Sequence, residues 1–134
     1  MVAFEDSDRQ DEPAPPDSPH VKKFRKELSS GLIALVLLAL LARARGEMYG
    51  YEIAKTLGQA VSDAPQFKQS ALYPVLRSLH AAGLLESRVQ VSESGPPRRY
   101  YRITQEGEAA LAAWTATWRG MRSFVDAILD ENSP

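Results

Sequence analysis

Gln69, Tyr73, Arg77 and His80 recur at i, i+4, i+8 and i+11, a spacing that lines them along one face of a helix. An amide, a phenol, a guanidinium and an imidazole arranged this way suit phosphates and base edges. Ser70, at the start of the same helix, joins the set. Further along, SESGPPRRYYRIT (92–104) gathers Arg98, Arg99 and Arg102 with Tyr100 and Tyr101 behind a Gly-Pro-Pro turn. Arginines near a hairpin tip offer charge-assisted hydrogen bonds to phosphate oxygens. A polar outer face is the default for a surface helix, and a basic hairpin is most simply a solvated one. Neither feature alone assigns a function.

The elements that must position these residues are legible around them. In SALYPVLRSLHAAG, Leu72, Val75, Leu76 and Leu79 fall at helical spacing on the side opposite the polar row, so that side goes to a core. Pro74 stands at the edge of the first turn if the helix begins near Ser70 or Ala71, and Gly83 occupies a C-cap position. Before it, MYGYEIAKTLGQAV places Ile53, Leu57 and Val61 on one helical face, and VSDAPQ (61–66) carries a turn signal. After it, LLESRVQV alternates, with Leu85, Val89 and Val91 on one face and Glu86, Arg88 and Gln90 on the other. SESGPPR is the turn, and the returning strand puts Tyr101 and Ile103 inward and Tyr100 and Arg102 outward. Helix, turn, helix and hairpin is the element order of a winged helix-turn-helix, whose second helix enters a major groove while the hairpin meets the backbone or minor groove.

The 134 residues bound a single domain. The absence of cysteine excludes disulfides, thiolate nucleophiles and thiolate metal sites and fits a reducing cytoplasm. A net charge of −1 hides a division. Residues 22–102 hold thirteen Lys and Arg against six Asp and Glu, whereas residues 1–21 hold six acids against Arg9. Poor in large apolar residues and rich in acid and proline, residues 1–21 read as a disordered tail, as do residues 131–134. A DNA-binding domain is expected over 22–104 and a dimerisation helix over 105–130. The two histidines, His20 and His80, come with no nucleophile elbow, phosphate loop, metal spacing or carboxylate pair, so neither an enzyme nor a metal or cofactor site is expected. His80 reads most simply as a solvated side chain.

KKFRKELSSGLIALVLLALLARARG resembles a signal peptide in outline, yet its uninterrupted apolar run, Leu32 to Ala42, is eleven residues. A spanning helix needs about 20, and the run follows a long acidic stretch. The expectation is therefore a helix buried on most sides, shared with a core and with a partner subunit, and no membrane. Lys22, Lys23, Arg25 and Lys26 read as the solvated start of that helix, or as phosphate contacts.

YGYEIAKTL, SALYPVLRSLHAAGLLES and GPPRRYYRITQEG together closely resemble the PadR family of bacterial transcriptional regulators, over residues 32 to 129 and in the family's order and spacing. The short C-terminal part is similar to the subfamily with one terminal dimerisation helix. The resemblance implies a mainly α fold with a small β-hairpin, that is, a winged helix-turn-helix plus a C-terminal dimerisation helix. It also implies a homodimeric repressor that binds palindromic operator DNA and is released by a small, often aromatic ligand. Position by position, Tyr73 matches the tyrosine that approaches DNA, and Arg98 and Arg99 match the basic wing. Ala71 departs from the common threonine and His80 from a common acid, which removes one hydroxyl from the expected contacts. A winged-helix module that binds only protein is the competing reading, and it would show no salt-sensitive association with DNA.

In the last segment Leu111, Trp114, Trp118, Met121, Val125 and Ile128 follow at steps of 3 and 4, a heptad seam suited to packing against a partner, with Thr104 as its N-cap. Trp114, Trp118, Met121 and Val125 are the candidate interface and effector set. Aromatic rings at this spacing more often pack than bind. The resemblance favours Trp118, eleven residues after Gly107, as the ring on which a flat hydrophobic effector would stack.

Overall fold

The computed structural model describes residues 12–60 and 69–131, apart from the side chains of Ala60, Gln69 and Glu131. Residues 1–11, 61–68 and 132–134, which carry most of the expected tails, Val61 and the turn signal at 61–66, lie outside the described residues. The described chain runs α1 (Pro19–Ala44), β1 (Met48–Tyr49), α2 (Gly50–Ala60), α3 (Gln69–Ala81), β2 (Leu85–Ser92), β3 (Gly95–Ile103) and α4 (Gln105–Glu131). The architecture is mainly helical with one small antiparallel sheet, a winged helix-turn-helix followed by a long C-terminal helix.

Helix α1 starts three residues before the expected boundary at 22. Ser18 caps it, its Oγ accepting from the Val21 N–H at 3.4 Å, and Pro19 opens the first turn, where its missing N–H costs nothing. The helix is long and apolar enough to span a membrane by composition. Its apolar run is nonetheless used in the fold, since Leu37, Leu38 and Leu41 are fully buried in the core. They meet Ile53 of α2, Leu72 and Leu76 of α3 and Leu85 of β2 there, which closes the helical layer over the sheet.

The sheet has one strand more than the hairpin expected. Met48 and Tyr49 pair with Tyr101 and Tyr100, so the strand order is β1-β3-β2. The turn is also tighter than SESGPPR: Ser92 already pairs with Gly95, and Pro96 and Pro97 belong to β3. Two prolines are tolerated there because β1 covers β3 only at Tyr100 and Tyr101, leaving the other edge of the tip unpaired. The register shifts beside them, between Gln90 and Ser92. Inward alternation holds for Leu85, Tyr101 and Ile103, the last partly buried against the core, but ends there. Val89 and Val91 share the face of Leu85, yet they are exposed (Val91 by 80%), because the hairpin runs out beyond the helices.

Two glycines fix how α3 and α4 join. Gly83 takes a left-handed backbone (φ 82°) after α3, and the N–H groups of Gly83 and Leu84 return to the carbonyls of His80 and Leu79, both at 3.0 Å. Gly107 lies so close to the Leu84 carbonyl that any Cβ would overlap it. Thr104 caps α4, its Oγ1 accepting from the Gly107 N–H at 3.0 Å while donating to the Gly83 carbonyl at 2.7 Å. Helix α3 already includes Gln69, ahead of the expected start near Ser70 or Ala71, so Pro74 falls inside the helix and removes the bond that would return to the Ser70 carbonyl.

Candidate nucleic-acid interface

Helix α3 turns Leu72, Leu76 and Leu79 into the core and leaves Ser70, Tyr73, Arg77 and His80 exposed. The side chain of Gln69, the first residue of α3, lies outside the described residues. Tyr73 is seated by a backbone feature: its ring lies against Gly50, and a Cβ there would overlap Cε1 and stand 3.1 Å from both Cζ and Oη. The first residue of α2 therefore shapes the pocket that orients a residue on α3.

Tyr73 and Arg77 face a groove of about 510 Å³ whose far wall is the wing, with Pro96, Pro97, Arg98 and Arg99. Strand alternation sends the two arginines to opposite faces of the hairpin. Arg99 shares the face of buried Tyr101, and its Nη1 donates to Ser87 Oγ at 3.1 Å. Burial raises the Tyr101 phenol pKa above its ordinary value, opposed first by the nearby positive charge of Arg99 and then by that of Arg77. Arg98 shares the face of Tyr100, and its guanidinium sits 4.6 Å above the Tyr49 ring. Tyr49 in turn packs against Tyr100 at 5.5 Å and lies parallel to Tyr51 at 6.3 Å. This small aromatic stack stiffens the base of the wing.

The four arginines of the hairpin divide by partner. Arg88 grips Glu47 through Nε (2.5 Å) and Nη2 (2.7 Å), and Arg102 pairs with Glu86. The Arg88 hydrogen bond holds the Glu47 carboxyl below the usual carboxylate range, and Glu47 raises the Arg88 pKa in return. Both pairs are solvent-exposed, and their charges cancel locally. Arg98 and Arg99 have no carboxylate partner among the described residues. The positive charge of the wing is thus concentrated in the two arginines that border the groove.

Of the residues expected from the sequence, Tyr73, Arg77, Arg98 and Arg99 line this groove and Ser70 does not; sequence reasoning misses Gly50 against Tyr73, Tyr49 under Arg98, Ser87 bonded to Arg99, and Tyr51. The YGY triplet at 49–51 carries the available signal, two rings flanking a glycine ahead of a helix. Tyr100, expected to face outward with Arg102, is half-buried against Tyr49.

The second candidate set lies elsewhere. Trp114, Trp118 and Met121 line an apolar groove of about 480 Å³ between α1 and α4, closed on the α1 side by Leu28, Leu32 and Leu35. Trp114 is partly buried against the core, whereas Trp118 is 36% exposed. Val125 lies beyond the groove on the exposed second half of α4, with Phe124, Ile128 and Leu129. The heptad seam therefore changes role along its length: Leu111 and Trp114 pack within the chain, and the turns from Met121 onward present apolar side chains to solvent.

A sequence model of the Transcriptional regulator PadR-like family matches residues 37–113. The chain belongs to the PadR family of transcriptional regulators. Among solved PadR structures, a PadR family transcriptional regulator from Eggerthella lenta is 32% identical with a TM-score of 0.73, the match covering 84% of this chain and 95% of that one. A PadR-like transcriptional regulator from Bacillus cereus is 25% identical with a TM-score of 0.63, over 77% and 96%. An uncharacterized protein from Lysinibacillus sphaericus is 26% identical over 106 residues, 79% of this chain and 95% of its own length. As a PadR member the chain is a DNA-binding transcription regulator and not an enzyme.

Proposed function

We propose that this PadR regulator is a homodimeric repressor that acts in the cytoplasm on a palindromic operator and releases it when a small hydrophobic or aromatic ligand binds. One observation carries the DNA side: Tyr73 and Arg77 of α3 share a groove with Arg98 and Arg99, the two hairpin arginines that no described carboxylate neutralises. In this reading α3 enters the major groove, with Ser70, Tyr73 and Arg77, and Gln69 from its sequence position, contributing base and phosphate contacts. The wing arginines hold the backbone. The exposed apolar half of α4 supports self-association, since a run of Met121, Val125 and Ile128 left in water is the kind of surface a partner covers.

Ligand release follows by linkage. A flat apolar molecule in the α1–α4 groove, against Trp118, shifts the two helices that carry the dimer contact. If it favours a dimer whose α3 helices are not about 34–36 Å apart, it lowers operator affinity by the same factor by which DNA lowers ligand affinity. The test is association with the DNA upstream of the protein's own gene, followed together with tryptophan fluorescence across a panel of aromatic compounds. The reading predicts salt-sensitive binding and at least one compound that both quenches fluorescence and releases DNA. Compounds that quench without changing DNA affinity would overturn the release mechanism, and absence of any DNA association would overturn the operator reading.

A further inference from the structure

A second basic margin borders α3 on the flank away from the wing. A groove of about 570 Å³ separates the first half of α1 from α3, with Lys22, Arg25, Lys26, Ser29 and Ser30 along its α1 wall above the buried, apolar Ile33. Ala71 and Val75 form the α3 wall. They lie two positions from Tyr73 and Arg77, and two positions are about 200° of helical rotation. One flank of α3 therefore faces the wing, the other faces the α1 cations, and Pro74 and Ser78 stand exposed between them.

Local helix stability does not explain those cations. Lys22, Lys23, Arg25 and Lys26 fall within five residues, directly after a first turn that holds no acidic residue. The backbone dipole at that end of a helix favours anions. None of the three ion pairs among the described residues involves them. Glu27, the next residue, lines the α1–α4 groove instead. The row Lys22, Arg25, Lys26, Ser29 and Ser30 follows i, i+3, i+4, i+7 and i+8, a continuous strip of charged and hydroxyl donors over about two turns.

We propose that the α1–α3 groove is a second DNA-backbone site, taking phosphates on the strand opposite the one held by the wing. This rests on the reading of α3 as the helix in the major groove. That groove is about 12 Å wide and bounded by two phosphate backbones, so a helix inserted in it has phosphates on both flanks. Arg98 and Arg99 serve one flank, and the α1 strip supplies cations and hydroxyls on the other. Phosphate contacts of this kind set register and add affinity without reading sequence.

The test uses the full chain carrying Lys22→Ala, Arg25→Ala and Lys26→Ala, titrated against a random-sequence DNA duplex between about 50 and 200 mM salt. Every phosphate that is no longer neutralised makes the slope of log affinity against log salt shallower by about 0.9, so a drop of roughly two to three per protomer is expected. Affinity at the lower salt falls roughly tenfold or more, while Lys22→Arg with Lys26→Arg keeps both slope and affinity. Unchanged slope and affinity in the alanine variant, with both reduced in Arg98→Ala/Arg99→Ala, would refute the α1 site and leave DNA binding by the wing standing. No association of the wild-type chain with duplex DNA would overturn the DNA reading itself. If the alanine variant sediments as a smaller species than the wild type, the groove holds a helix of a second copy and the inference falls.

Discussion

Gly50→Ala tests how the backbone positions Tyr73, the tyrosine proposed to face DNA. The new methyl would overlap Tyr73 Cε1 and crowd Cζ and Oη. Gly50 has no positive φ and opens α2, so alanine is acceptable to the backbone and gains up to about 1 kcal/mol of helix propensity. Overpacking ordinarily costs about 1–3 kcal/mol. Here the clash is with the ring of a side chain that is 37% exposed, so an outward shift of the ring relieves much of that cost. The two effects nearly cancel, and unfolding stability should change by less than about 1 kcal/mol. DNA binding should respond differently, because displacing the ring removes a contact expected to be worth about 1–3 kcal/mol, or roughly 5- to 150-fold in affinity. The assay is a double-mutant cycle on DNA affinity with Tyr73→Ala, alongside urea denaturation of each variant. Gly50→Ala should have little further effect once Tyr73 is alanine. A full loss persisting in the Tyr73→Ala background would show that Gly50 does not act through the tyrosine. Wild-type affinity in both single variants would remove Tyr73 from the interface.

The same substitution at Gly107 should behave in the opposite way, because its Cβ meets the Leu84 carbonyl and not a mobile ring. Gly107→Ala is expected to cost roughly 3 kcal/mol or more, read as a lower urea midpoint at unchanged slope. Since Glu47 is held below its ordinary pKa, its pairing with Arg88 stabilises the fold above the unfolded-state value and loses that contribution as pH falls through the folded value. Arg88→Ala should therefore raise the Glu47 pKa seen by NMR titration, and an unchanged value would contradict the pairing. Ile128→Asp places a charge on the exposed apolar half of α4 and should shift sedimentation from dimer toward monomer while the circular dichroism spectrum of the fold is kept.

The parts of the fold with strong periodicity were legible in the chain. The two faces of α3, the Gly83 cap, the Thr104 cap and the inward Tyr101 all follow from spacings of 3.6 or 2 and from residue chemistry. Strand β1 was not, because two residues cannot display alternation, and its pairing with Tyr100 and Tyr101 is a long-range choice. Alternation also overstated the buried face of β2: Val89 and Val91 keep the pattern where there is no helix left to cover them. Prolines 96 and 97 read as turn, but only the unpaired edge of β3 explains why they sit in strand. Similarly, the heptad in α4 cannot tell which of its turns pack within the chain and which face outward. That division depends on where α1 ends its packing on α4, near Trp118. For the set proposed to meet DNA, residue types located the arginines, whereas the ion pairs of Arg88 and Arg102 leave Arg98 and Arg99 without a described carboxylate partner.

Affinity for the DNA upstream of the protein's own gene, measured against salt for the wild type and for Arg98→Ala/Arg99→Ala, tests the central claim most directly. The groove between α3 and the wing predicts weaker binding in the variant and a slope shallower by about 0.9 for every phosphate that the arginines neutralise, roughly two per protomer. Equal affinity and equal slope in the two proteins would contradict the assignment of this groove to DNA.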